Sequence, residues 1–404
     1  MNNAASGSGG PLWMVCPWNR DGIEDSPMFS RTPVVSDCTL RDGEQQAGVV
    51  FNRQDKVELA KRLAAIGVQD LEVGTPAVSE EDRLAIEEIV SLKLKATTSA
   101  LARAMRPDID LVAACGVDGV RVSQPISPIQ RDAKLHLDDD AYLRLALDIT
   151  GYAKERGLQV IFSPYDTTRC DLSLLERLLK MFRREQCVDR VRLVDTTGAA
   201  TPQGIAFLIR FMLDASGGIP IEIHCHNDFG LATANTIAGA VAGAAYLSTT
   251  INGLGERCGN ASLEEVVMAV KVLYDVDLGI DTTALCALCA EAERRSGVQL
   301  AVNKPVVGRD AFTHEAGMSV AGVLNNPFAA EAYAPALAGQ TRSIVLGKKS
   351  GKASVEFKLQ QLGLAAEKDA LNGILLDVKT RSTELKRFLT DDEFRGIVRE
   401  RIGR

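Results

Sequence analysis

From about residue 32 to 280, short apolar runs alternate with longer amphipathic ones. The short runs are Val34–Asp37, Asp70–Gly74, Ala96–Ala100, Gly119–Val122, Val160–Ser163, Val191–Asp195, Ile221–His226 and Tyr246–Asn252. Runs of this length between turn residues read as buried strands. Between them, apolar positions recur at helical spacing over Gln54–Ile66, Glu80–Leu92, Asp140–Arg156, Leu172–Glu185, Pro202–Ala215 and Thr233–Ala244. Eight strands, each followed by a helix, predict an α/β chain folded as a (β/α)8 TIM barrel rather than an open doubly wound sheet. No G-x-G-x-x-G follows the first strand, which speaks against a dinucleotide site.

The pattern changes on either side. Residues 1–31 are rich in Asn, Ser and Gly, carry Trp13 and Trp18 without periodicity, and read as a flexible extension. Residues 32–280 are the catalytic barrel. In 281–404, helical runs at Thr283–Ser296, Lys368–Phe388 and Asp391–Arg401 bracket a loop-rich stretch around Asn303–Gly351, giving a mainly helical C-terminal lid subdomain. The loop Leu346-Gly-Lys-Lys-Ser-Gly351 reads as a solvated turn or as part of an anion-contacting lid.

Composition narrows the function classes. The chain has 404 residues, 46% hydrophobic, with a formal net charge of −7. It is therefore long enough for a sizeable soluble core. An acidic balance without a basic cluster interleaved with aromatics argues against a nucleic-acid partner. No apolar run approaches the length of a membrane span, and the N-terminus lacks a secretory apolar region. The nine cysteines are taken as scattered, reduced thiols, Cys16, Cys38, Cys115, Cys170, Cys187, Cys225 and Cys258 as small buried or half-buried residues. The expected compartment is the cytoplasm.

Polar residues gather at the predicted strand ends, where a barrel of this kind places its active site. Arg41 and Asp42 follow the first strand, Glu72 and Thr75 the second, and Ser123 and Gln124 the fourth. Tyr165 and Asp166 follow the fifth, Asp195–Thr197 the sixth, His224 and His226 the seventh, and Asn252–Asn260 the eighth. Only four histidines occur in the chain, and two of them stand at i and i+2. On a strand, such side chains point the same way. With Asp42 they make a carboxylate and two imidazoles, a donor set suited to Zn, Mn, Co or Mg with positions left open. Such an ion can chelate a 2-oxo acid and polarise its ketone, with Arg41 placed to stabilise a developing alkoxide. The glycines of Asn252–Asn260 let that loop approach a ligand closely, and Asn260 is a further oxygen ligand.

Asp37-Cys-Thr-Leu-Arg-Asp-Gly-Glu-Gln45, His224–Asn235 and Asn252–Asn260, in this order, resemble the signatures of the metal-dependent condensing synthases. These enzymes join acetyl-CoA to 2-oxo acids: isopropylmalate, citramalate, homocitrate and Re-type citrate synthases. They share their barrel with 3-hydroxy-3-methylglutaryl-CoA lyase. The resemblance spans about residues 32–355. Phe312-Thr-His-Glu-Ala-Gly317 and the short C-terminal region look most like the nitrogen-fixation type of homocitrate synthase. The resemblance implies Asp42, His224 and His226 as metal ligands with Asn260 nearby, and Arg41 as the electrostatic catalyst. It implies Thr196 at the substrate carboxylate and Gln45 lining the site, with Ser163 and Arg103 as further substrate-binding candidates. It also implies acetyl-CoA as co-substrate, Tyr333 reaching over an active site, and a homodimer.

Two positions depart from that family pattern. Tyr165 stands where the synthases carry Glu, and Ser319 where they carry His. Those groups help deprotonate the acetyl methyl, and a positioned acid or base is worth about 10²–10⁴-fold. Proton transfer then falls to Tyr165, Asp166, His314 or Tyr333. Pro164-Tyr165-Asp166 resembles a triplet of the lyase relatives, which keeps open a metal-dependent lyase or aldolase acting on a 2-oxo acid or hydroxyacid. An inactive relative that binds a ligand or partner is a third reading. Ser99–Arg103, after the third strand, offers a second substrate carboxylate only Arg103, or Arg121 if it turns inward.

Overall fold

A computed structural model describes residues 11–19 and 29–402. It comprises two compact units, Pro17–Leu300 and Met1–Cys16 with Ala301–Arg404. Residues 1–10 and 20–28, most of the expected extension, lie outside the described residues.

In the first unit, eight parallel strands close into a ring: β1 (Val34–Asp37), β2 (Asp70–Glu72), β3 (Thr97–Arg103), β4 (Gly119–Pro125), β5 (Gln159–Tyr165), β6 (Arg190–Asp195), β7 (Ile221–Cys225) and β8 (Tyr246–Thr249). β1 pairs with β2 on one side and with β8 on the other, in register from Val34 opposite Tyr246 to Asp37 opposite Thr249. The TIM barrel read from the sequence is thus the fold. The helices between and after the strands are α1 (Arg53–Ala65), α2 (Glu80–Ser91), α3 (Arg106–Ala114), α4 (Pro128–Lys134), α5 (Asp139–Glu155), α6 (Leu172–Glu185), α7 (Pro202–Ser216), α8 (Ala232–Val241), α9 (Leu263–Tyr274) and α10 (Leu285–Ser296). α6 shows why such segments form: it buries Leu174, Leu175, Leu178, Leu179 and Phe182, one stripe at helical spacing. Thr201 caps α7 by accepting from the Gly204 amide, and Pro202 occupies its first turn, where no amide is needed.

Several boundaries differ from the sequence reading. β3, β4 and β5 each run past the expected end. β8 stops three residues early because Ile251–Gly253 turns sharply, with Asn252 in the left-handed region at φ 61°. Two cysteine expectations are corrected as well. Cys16 and Cys258 are exposed, and Cys286 and Cys289 stand at C-x-x-C spacing on α10, both as free thiols.

The lower interior of the barrel is ionic. Arg121 on β4 reaches across the ring to Glu222 on β7 at 2.7 Å and to Asp70 on β2 at 2.7 Å. Arg190 bridges Asp70 and Glu222, each at 2.9 Å. Arg192 joins Glu222 at 2.9 Å to Glu72 at 2.8 Å. The Ser36 hydroxyl donates to Asp70 at 2.7 Å and accepts from Arg121 at 2.9 Å. Contacts between non-neighbouring strands pass only through the interior, so this network fills the space that apolar layers usually occupy. Burial alone would raise the Glu72 carboxyl, but Arg192, Arg41 and Arg121 overcome that and hold it at about 2.

The second unit pairs β9 (Thr313–His314) with β10 (Ser343–Ile344) and adds α11 (Gly317–Asn325), α12 (Lys352–Gln361), α13 (Ala370–Leu385) and α14 (Asp391–Ile402). α11 lies inside the stretch expected to be loop-rich. An apolar cluster of Leu346, Val355, Leu359, Leu371, Ile374, Val378, Leu389, Phe394 and Val398 holds these helices together. Leu12 and Met14 exchange backbone hydrogen bonds with Ala334 and Ala332, which buries Trp13 to 8% exposure. Among the described residues no helix is long and apolar enough to cross a membrane.

Candidate active site

Three distant chain segments meet at the C-terminal mouth of the barrel. After β1 the backbone turns tightly, the amides of Arg41 and Asp42 both donating to the Cys38 carbonyl at 3.1 and 2.8 Å. This turn aims the Asp42 carboxylate at the end of β7. Asp42 Oδ2 lies 3.6 Å from His224 Nε2 and 3.9 Å from His226 Nε2. The third segment is the glycine-rich loop after β8, where Asn260 Nδ2 donates to Asp42 Oδ2 at 2.5 Å and to the Leu254 carbonyl at 3.0 Å. That loop needs its glycines. A Cβ on Gly259 would sit 1.9 Å from the Gly253 carbonyl oxygen, and one on Gly255 would sit 2.1 Å from Asn260 Nδ2.

The donor set fits a divalent cation. The two Asp–His separations exceed hydrogen-bond length, yet suit donors sharing one ion about 2.0–2.2 Å away. The two imidazole rings lie edge to face, 85° apart with centroids 5.1 Å from each other. Burial pushes both histidines below their ordinary pKa, against the opposing pull of Asp42. They are therefore neutral and ready to donate lone pairs. Burial would raise Asp42, but Arg41 first, and the two histidines in acid where they protonate, hold it well below the usual carboxylate range. The Asn260 Oδ1 oxygen is buried without a hydrogen-bond partner among the described residues, a lone-pair donor beside the set.

Beside this cluster opens a cavity of about 640 Å³ lined by Arg41, Gln45, Arg103, Ser163, Tyr165 and Thr196 among others. Arg41 bonds Glu72 at 2.5 Å, Asp42 at 2.6 Å and Gln45 at 3.1 Å. Its guanidinium is thus tethered to the ionic layer below and to the carboxylate beside it. The Thr196 hydroxyl accepts from the Asp166 amide at 2.7 Å. Ser163 Oγ is buried without a hydrogen-bond partner among the described residues. Lys134 lies over the Tyr165 ring at 5.0 Å. Arg103 reaches the cavity edge while gripping Asp108 at 2.7 Å.

Other candidates are placed elsewhere. Asp166 is buried, at φ 64°, and its carboxylate is taken by Ser127 at 2.5 Å and by Arg169 at 2.8 Å. Arg121 does turn inward, but into the ionic layer, so it is spent before it can meet a substrate. His314 and Tyr333 belong to the C-terminal unit. His314 Nε2 pairs with Glu331 Oε1 at 3.0 Å, Glu331 also binds Arg342 at 2.6 Å, and Tyr333 packs edge-on to Phe312 at 5.3 Å. The sequence reading passed over Lys134, Arg192 and Arg257, all of which line the cavity. Arg257 donates to the Thr196 carbonyl at 2.7 Å. Arg190 and Arg192 at i and i+2 were a visible signal, two charges on one face of a strand.

The HMGL-like family model matches residues 32–290, well over half of the chain. The chain belongs to the HMGL-like family. A second model, the homocitrate synthase post-HMGL domain-like region, matches residues 306–386 of this family member. Homocitrate synthase AksA of Methanocaldococcus jannaschii is 40% identical over 390 residues, 96% of this chain and 93% of that one. A probable 2-isopropylmalate synthase of Ignicoccus hospitalis is 42% identical over 364 residues, 90% of this chain and 91% of that one. Among solved structures, the HMG-CoA lyase of Bacillus subtilis superposes with a TM-score of 0.59 at 19% identity, covering 68% of this chain and 96% of that one. That last likeness speaks for the HMGL-like barrel alone.

Proposed function

We propose that this chain is a homocitrate-synthase-like acyltransferase, which condenses acetyl-CoA with a 2-oxo acid and releases CoA as water hydrolyses the thioester. The observation that carries the reading is the buried Asp42–His224–His226 set opening beside Arg41 onto a substrate-sized cavity. Support comes from full-length relatives named homocitrate synthase and 2-isopropylmalate synthase at 40 and 42% identity.

In this reading Asp42, His224 and His226, with Asn260 beside them, hold a divalent ion: Zn, Mn, Co or Mg. When bound, it supplies Lewis-acid polarisation of the oxo-acid ketone. Arg41, fixed by Glu72, faces the same oxygen and stabilises the alkoxide as the new carbon–carbon bond forms. Thr196, Ser163, Gln45 and Arg103 bind and orient the oxo acid. Tyr165, at the end of β5, lines the cavity in the place of the family's acid and is the first proton-transfer group to test, followed by His314 and Tyr333. The functional form is a homodimer in the cytoplasm, a setting that suits the free cysteines.

Thiol release from acetyl-CoA by metal-reconstituted protein, across a panel of 2-oxo acids, tests the reading. The expected result is oxo-acid-dependent release that falls to background in His224→Ala. Tyr165 beside Pro164 favours one rival, the lyase or aldolase. No thiol release from metal-loaded protein, with cleavage of a hydroxyacid instead, would establish that rival.

A further inference from the structure

The two histidines of the site are held differently on their far sides. His224 Nδ1 meets Ser248 Oγ on β8 at 2.9 Å. Ser248 Oγ meets Cys38 Sγ at 3.4 Å, and Cys38 Sγ meets the Thr249 carbonyl oxygen at 3.4 Å. Ser248 is 1% exposed and Cys38 is 0% exposed, so water does not interrupt the line. By contrast, His226 Nδ1 is buried with no hydrogen-bond partner among the described residues.

The polarity of this line follows from its end. A backbone carbonyl only accepts, so the Cys38 S–H donates to Thr249. The sulfur is then left to accept, and it stands 3.4 Å from Ser248 Oγ and 4.0 Å from His224 Nδ1; the nearer acceptor for the His224 Nδ1–H is the Ser248 oxygen at 2.9 Å, so the Ser248 O–H goes to the sulfur. A proton on Nδ1 leaves the Nε2 lone pair free, and Nε2 is the nitrogen that faces Asp42. Imidazoles that bind metals are commonly fixed in this way by a partner on the other nitrogen.

We infer that Ser248, backed by Cys38, is a positioning residue that sets the tautomer and orientation of His224 as a metal ligand, whereas His226 is the unsupported ligand. The inference rests on the reading that Asp42, His224 and His226 bind a divalent ion. It touches neither the identity of the oxo acid nor the direction of the reaction. The chain reads His224 Nδ1–H to Ser248 Oγ–H to Cys38 S–H to the Thr249 carbonyl, with every donor used once. Replacing Ser248 by Ala removes the acceptor for Nδ1–H. Replacing Cys38 by Ser keeps an O–H in the line, and replacing it by Val ends the line at Ser248.

The test is titration of metal-free protein with Mn²⁺ or Zn²⁺ against a chelating dye, with the visible spectrum of the Co²⁺ form as a second readout. In Ser248→Ala, affinity should fall by about 10- to 100-fold. The Co²⁺ bands should shift, the melting temperature of the metal-free protein should hold, and saturating metal should restore turnover. Cys38→Ser should stay near the parent, and Cys38→Val should fall between. Parental affinity and an unchanged Co²⁺ spectrum in Ser248→Ala would overturn the assignment, as would an affinity loss matched by melting of the metal-free protein. If Ser248→Ala does not fold, Cys38→Val decides by the same titration: weaker binding supports the assignment and parental binding overturns it. A parent protein that binds no divalent metal overturns this assignment together with the metal reading beneath it. Parental binding by Ser248→Ala overturns this assignment alone.

Discussion

The interior of the barrel and the core of the C-terminal unit solve the same problem with opposite materials. The barrel is crossed by Asp70, Glu72 and Glu222 interlocked with Arg121, Arg190 and Arg192. The C-terminal core is aliphatic, with one phenyl ring, Phe394. Apolar packing is non-directional and tolerates exchange of similar volumes. A buried charge network tolerates much less, because each group must find its partner or remain desolvated and unpaired. The barrel network also reaches the chemistry. Glu72 holds Arg192 on one side and Arg41 on the other, and Arg41 holds Asp42. A defect low in the barrel is therefore felt at the donor set.

The sharpest way to break the contrast is to remove one charge. Glu222→Ala leaves three arginines short of a partner and should cost about 3–5 kcal/mol. In urea denaturation followed by circular dichroism, the midpoint should drop accordingly, or the barrel should fail to fold. A loss under 1 kcal/mol would mean that the network is dispensable. A somewhat smaller effect, dependent on pH, is expected at the end of β1, where burial pushes the Asp37 carboxyl up to about 7. Between its ordinary value and 7 the folded state keeps a proton that the unfolded chain has released. Stability from this group therefore declines as pH rises through that window and stays lower above it. Asp37→Asn removes the titration. Relative to the parent it should gain stability from pH 4 to pH 8, by up to about 4 kcal/mol for a shift of this size. A pH-independent difference would count against the buried acid. The smallest effect belongs to the aliphatic core, where Ile374→Val should cost about 0.5–1.5 kcal/mol and leave metal affinity unchanged. A larger loss would mean that this core is as exacting as the barrel.

The same contrast explains how legible the molecule was. The barrel followed from strand-length apolar runs spaced by helices, and β1 and α6 fell on the expected residues. The pattern does not mark α3, α4 and α9, and it leaves α11 inside a loop-rich stretch. The expected β8 is too long because it runs through Asn252 of the turn dipeptide Asn252-Gly253, where the backbone turns left-handed. Asp42, His224 and His226 converge as their motif and strand-end positions suggested. The ionic layer was not legible, because charged residues alternating along a strand look the same whether that face meets solvent or the inside of a ring. Closure decides which, and closure is a property of eight strands together. The Ser248–Cys38 line was hidden for a similar reason: it joins residues 210 positions apart whose types are ordinary in a core.

Because β1 closes on β8, the donor set is also the last thing the barrel completes. Asp42 emerges early in synthesis, and Asn260, which holds its carboxylate, follows 218 residues later. At about 5–20 residues per second, some 10–40 seconds pass before the ribosome has supplied every side chain of the cluster. During that interval the nascent chain holds only fragments of the cluster, first a carboxylate and later a pair of imidazoles. On the proposed reading of the site, metal capture is an event of the finished ring, after β8 has docked against β1.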